Sequence, residues 1–167
     1  MIAVFAASLL AAAVVMPSFA ATTASIANLT LAAATVKHVT QAKPGTLALT
    51  VNDTVGLGWN VTVQSSAMKY SGAFGTTPAN DFPAANLSLG TPATPVRTLG
   101  QAIDPTNGPK IVGTGGALNA AVKVINANSG FGKGTYTQNL PLTLTVPANP
   151  RQGTYTATLT VTITAGP

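Results

Sequence analysis

The dominant period along the chain is two. Leu47, Leu49 and Val51 alternate with Ala48, Thr50 and Asn52, and Trp59, Val61 and Val63 alternate with Asn60, Thr62 and Gln64. Such alternation predicts half-buried strands with one apolar face and one wet face. The run from Asn52 to Gly58 between them is rich in residues that tolerate turn dihedrals, so the pair reads as a hairpin. Near the C-terminus the pattern returns. Leu140, Leu142, Leu144 and Val146 alternate with Pro141, Thr143 and Thr145, and Pro147 to Gly153 supplies a turn. Tyr155, Ala157, Leu159, Val161 and Ile163 then share one face, opposite Thr154, Thr156, Thr158, Thr160 and Thr162. A row of Thr makes a strand face that is β-branched and polar without charge. A weaker alternation, Ala27, Leu29 and Leu31 against Asn28, Thr30 and Ala32, followed by Thr35 to Thr40, predicts an earlier pair.

The middle is less regular. Residues 71 to 116 carry Pro78, Pro83, Pro92, Pro95, Pro105 and Pro109 among many Gly, Asn and Ser, which predicts long loops and edge strands. From Ala117 to Asn126, Leu118, Ala121, Val122 and Ile125 fit a helical stripe, whereas Val122 and Val124 around Lys123 fit a strand, which β-branching favours. The expected fold class is all-β: a β-sandwich or barrel-like arrangement of short antiparallel strands with long Pro/Gly-rich loops.

The first 20 residues read as an address. An apolar stretch from Ile2 to Val15 leads through Met16 and Pro17 to Ser18-Phe19-Ala20, which offers small residues at the two positions a signal peptidase reads before a cut after Ala20. No Lys or Arg precedes the apolar core, a departure from the usual signal pattern. The run is shorter than the roughly 20 residues of a spanning helix. The expected organisation is therefore a signal peptide at 1–20 and a single domain at 21–167, with no membrane span after signal removal.

Composition narrows the chemistry. Charged residues are only 7% of the chain and aromatics 5%, there is no Cys and no Glu, and the net charge is +5. Without Cys there are no disulfides, thiolate metal sites or cysteine nucleophiles, so an exported domain of this kind stands on its core alone. The cations are scattered rather than striped, which argues against nucleic-acid binding. A basic exported surface does attract anionic envelope polymers.

Material for catalysis is scarce. His38 is the single imidazole, and Asp53, Asp81 and Asp104 each sit where a carboxylate caps a turn. Glycoside hydrolysis needs a matched carboxylate pair. Gly113-Thr114-Gly115-Gly116 lacks the Lys-Ser/Thr of a phosphate loop. The expectation is a protein that is not an enzyme, with no cofactor and no metal. Four Asn-x-Ser/Thr sequons, at Asn28, Asn52, Asn60 and Asn86, are what a chain so rich in Asn and Thr produces by chance.

The run Leu49-Thr50-Val51-Asn52-Asp53-Thr54-Val55-Gly56-Leu57-Gly58-Trp59-Asn60-Val61-Thr62-Val63, taken with the ending Gly153-Thr154-Tyr155-Thr156-Ala157-Thr158-Leu159-Thr160-Val161-Thr162-Ile163, resembles the WxL domain. That resemblance implies an exported, extracellular protein at the bacterial cell surface, associated non-covalently with the peptidoglycan wall. The first namesake motif stands as Trp59-Asn60-Val61, with Val in place of Leu. At the second, Val161 occupies the Trp position and Ile163 the Leu position. The parity of Val161 with Leu159 and Ile163 puts it on the apolar face, so this change reads as repacking.

Four aromatics are candidate wall or ligand contacts: Trp59, Tyr70, Phe74 and Phe82. Trp59 shares parity with Val61 and Val63, which fits a core anchor, and an indole also fits a sugar face. The other three lie in the loop-rich middle, packed on the sandwich or forming an exposed patch. The expected partner is peptidoglycan or another cell-wall polymer. A structural subunit is the alternative, binding itself or other surface proteins through charge-poor strand edges.

Overall fold

Among the described residues thirteen strands form two sheets that face each other across one apolar core, and the long strands alternate buried and exposed positions. The computed structural model describes residues 4–15 by their backbone and residues 22–166 in full. The expected cleavage point after Ala20 lies outside the described residues. In chain order the strands are β1 (Val4–Val15), β2 (Thr22–Ile26), β3 (Leu29–Thr35), β4 (Gln41–Asp53), β5 (Trp59–Ser65), β6 (Lys69–Ser71) and β7 (Leu87–Leu89). They continue as β8 (Val96–Gly100), β9 (Lys110–Ile111), β10 (Gly116–Ala117), β11 (Val122–Ala127), β12 (Gly134–Val146) and β13 (Thr154–Ala165).

The first sheet runs β3-β1-β13-β5-β11-β9, with β6 also on β13, and the second runs β10-β7-β12-β4-β2, with β8 also on β12. Pairing is antiparallel except between β1 and β13. The fold is thus the expected all-β sandwich, and several strands are long: β4 and β12 stay in register from Asp53↔Gly134 to Gln41↔Val146.

The faces follow the alternation. Tyr155, Ala157, Leu159, Val161 and Ile163 are buried, while the threonines between Tyr155 and Ile163 are half-buried. Leu140, Leu142, Leu144 and Val146 of β12 face them with Leu47, Leu49 and Val51 of β4. Each fully buried aliphatic side chain contributes on the order of 1.5–3 kcal/mol. Val161, at the second Trp position, is 2% exposed, as its parity required.

The two expected hairpins are corrected. β4 belongs to the second sheet and β5 to the first, and β12 and β13 divide in the same way. Both connections are arches that carry the chain from one sheet to the other. The pattern could not separate the cases, because strands in a hairpin and strands in an arch both bury alternate side chains. Asp53 turns the first arch: its carboxylate accepts the N–H groups of Val55 and Gly56 at 3.1 and 2.9 Å and the hydroxyl of Thr22 at 3.0 Å. Gly58 then takes φ +84°, where a Cβ would lie 2.8 Å from the Ser129 nitrogen.

The ambiguity at 117–126 resolves into a turn at 118–120 followed by the strand β11 from Val122. Register shifts between Lys123 and Ile125, so Val124, Ile125, Asn126 and Ala127 are buried in succession. That bulge breaks strict parity within β11, while Leu118 and Ala121 of the helix-like stripe lie before the strand, Leu118 in the turn. Residues 71–116 form loops, two single-turn 3₁₀ helices at Pro78–Asn80 and Ala84–Asn86, and the short strands β7 to β9.

Candidate functional site

The ends of the sandwich differ, and the structure distributes the four candidate aromatics between them. At one end Trp59 is 1% exposed, beneath the first arch, with its indole N–H directed at the Gly132 carbonyl oxygen at 3.4 Å. At the other end Tyr70, Phe74 and Phe82 come together with Tyr155. Tyr70 and Phe82 are buried, and Phe74 is 53% exposed. Three of the four rings are therefore core, and Phe74 alone presents itself to a surface ligand.

The floor of this second end is aromatic. Phe82 stacks on Tyr155 with centroids 4.1 Å apart, and Tyr70 meets Tyr155 edge to face at 5.2 Å. Burial pushes the Tyr155 hydroxyl up to about 12. Tyr70 donates from its hydroxyl to the Gln152 carbonyl at 2.8 Å, tying the loop after β6 to the arch between β12 and β13. Space for that tie depends on Gly153, where a Cβ would lie 2.5 Å from the Tyr70 ring.

On this floor the loop after β6 holds Phe74 in place. The Phe74 N–H points to the Tyr70 hydroxyl at 3.4 Å, and the Asn80 amide donates to the carbonyls of Phe74 and Gly75 at 3.2 and 3.1 Å. Asp81 anchors the base of the loop by accepting the Tyr70 N–H at 2.8 Å and pairing with Lys69 at 2.7 Å. The Lys69 ammonium, then the Tyr70 N–H, hold its carboxyl below the usual range.

Arg151, from the arch, lays its guanidinium over the Phe74 ring at 4.8 Å. Beside this pair runs a groove of about 530 Å³ walled by Val36, Phe74, Asn149, Arg151 and Gln152. It shares Asn149, Pro150 and Arg151 with a second groove of about 280 Å³ that reaches Asn80 and Asp81. His38 Nδ1 meets Asn149 Oδ1. The lining joins the apolar Val36, Pro150 and Phe74 to two amides and one guanidinium, groups able to hydrogen-bond an amide-bearing chain and hold a carboxylate.

Sequence reasoning found Phe74 but missed Arg151, 77 positions away, because no local pattern links two loops. It also missed the apolar rim at the Trp59 end, where Leu57 is 58% exposed and Leu99, 70% exposed, lines a groove of about 520 Å³.

The acids are placed apart. Asp53 turns the arch and Asp81 pairs with Lys69. Asp104 accepts the N–H groups of Asn107 and Thr106 at 2.7 and 2.9 Å, which lower its pKa. Among the described residues no group of three or more His, Cys, Asp or Glu is placed to hold a metal, and no helix is long and apolar enough to cross a membrane.

A family model for the WxL domain, described as surface cell wall-binding, matches residues 12–167. No curated protein and no solved structure matches the chain.

Proposed function

Since the chain belongs to the WxL family of surface cell wall-binding domains, we propose that it holds peptidoglycan non-covalently through the groove beside Phe74 and Arg151, without catalysis. The protein is one of the cell surface and cell wall. The observation that carries the proposal is the Phe74–Arg151 pair, an exposed ring beside a groove in which Asn149 and Gln152 stand next to Val36 and Pro150. Peptidoglycan offers N-acetylated sugar rings to an aromatic face, amides to Asn149 and Gln152, and peptide carboxylates to Arg151. A neutral surface with few charges binds through many hydrogen bonds of about 1 kcal/mol each. The non-catalytic reading is supported by the separate structural employment of Asp53, Asp81 and Asp104.

The test is co-sedimentation with insoluble peptidoglycan. The secreted protein pellets with the polymer and stays in solution without it. Phe74→Ala removes a ring exposed by half and weakens retention by about 1–2 kcal/mol, roughly five- to thirtyfold, with an unchanged melting temperature. Full retention by a Phe74→Ala, Arg151→Ala double variant rejects this groove.

A second reading, a self-associating surface subunit, is favoured by one observation: β2 and β9 end their sheets with no outer partner among the described residues. Pelleting without the polymer supports it.

A further inference from the structure

One strand of the first sheet has a sequence that reads as a leader. β1 lies between β3 and β13, antiparallel to β3 from Val4↔Thr35 to Leu9↔Leu29 and parallel to β13 from Ala6↔Thr154 to Val15↔Thr162. Among the described residues it is the single strand that pairs with β3 within that sheet. Cleavage after Ala20 therefore empties a lane one strand wide inside the sheet and leaves two rows of backbone N–H and C=O groups facing each other across it.

We propose that β3 and β13 form a strand-acceptor lane, filled by residues 4–15 before the leader is removed and by an uncharged extended segment of another protein afterwards. This inference rests on reading 1–20 as a leader and is independent of the wall-binding groove. The segment seated in the lane defines the occupant. Val4–Val15 reads VFAASLLAAAVV, one phenylalanine and eleven small or aliphatic residues, without charge. A replacement must bring the same chemistry, because an unpaired polar side chain or a proline inside a sheet loses either solvation or a ladder hydrogen bond.

The rest of this chain has no strand to spare for a second copy. Its alternating segments from Thr22 to Ala165 are already paired within the two sheets among the described residues. The occupant is accordingly foreign, an apolar strand at a partner's terminus or linker, recognised through main-chain pairing on both sides. Pairing on two sides also explains why an internal lane, unlike an edge, selects for length: a segment much shorter than twelve residues leaves part of both rows unpaired.

The test uses the secreted product of the full chain, its N-terminus located by intact mass. Amide hydrogen exchange is followed at 29–35 and 154–162, alone and with a synthetic peptide of residues 4–15 carrying a solubilising Lys tail. The control peptide has Ala7→Pro, Leu9→Pro and Ala11→Pro. The expected result is a product beginning at residue 21, fast exchange on both strands, slowing of tenfold or more with the first peptide, a higher Tm, and no effect of the control.

A product that retains residues 4–15 overturns the proposal. So does slow exchange on both strands in the secreted monomer, which means that the lane has closed on itself. Slow exchange in a dimer makes the occupant a second copy and rejects a foreign strand. Slowing on β13 alone means addition at an edge and rejects the lane.

Discussion

Trp59→Ala separates a core tryptophan from a ligand-binding one. The side chain is 1% exposed and packs with Val61, Val63, Ala127 and Ile163 in one cluster. Removing a buried Trp to Ala typically costs about 3–5 kcal/mol through lost transfer energy and the cavity left behind. The indole N–H to Gly132 bond, at 3.4 Å, adds little, because hydrogen bonds of that length fall at the weak end of about 0.5–1.5 kcal/mol. At roughly 3 °C per kcal/mol for a domain of this size, Tm falls by about 9–15 °C. A domain with about 5–15 kcal/mol of total stability survives that loss at low temperature. Since Trp59 is the single tryptophan, unfolding of the variant must be followed by far-ultraviolet circular dichroism. At a temperature where both proteins are folded, the variant keeps its retention on peptidoglycan. A variant with unchanged Tm and lost retention refutes the reasoning, because it makes the ring a contact rather than a core group.

Other consequences are open to measurement. Asp53→Ala strips an acceptor from two backbone N–H groups and from Thr22, and the urea midpoint falls by an amount equivalent to about 1–3 kcal/mol. Gly153→Val sets a branched side chain against the Tyr70 ring, so it lowers Tm and loosens Phe74 together, read as weaker wall retention. In alkali, Tyr155 stays protonated up to about 12 and Tyr136 is also raised, chiefly by burial. The folded state thus holds protons that the unfolded chain releases near 10, so stability is intact below pH 10 and falls as pH rises toward 12. Absorbance at 295 nm then registers both hydroxyls only as the circular dichroism signal is lost.

The strands were legible in the sequence and their partners were not. Alternation at 47–51, 59–63, 140–146 and 155–163 located four long strands and their buried faces, since burial of one face is what a period of two records. It carries nothing about which sheet a face belongs to, and so two arches read as hairpins. Trp59 was readable as core from its parity with Val61. Tyr70 and Phe82 were not, because each packs from a short strand or bridge, Met68↔Phe82 in the latter case, too brief to show a period. The Phe74 site joins loops that meet only after both sheets have formed, and Arg151 had no sequence signature beyond being a cation.

The arches also set the order in which the protein can be made. β12 and β13 are the central strands of their respective sheets, and both lie in the last part of the chain. Emerging N-terminus first, β2 to β11 have a neighbour here and there but no completed layer until residues 134–165 arrive. Long-range pairing of this kind folds slowly, in milliseconds to seconds. A chain arranged in this way stays open while its first strands emerge, and locks only when its final strands slide into the middle of each sheet.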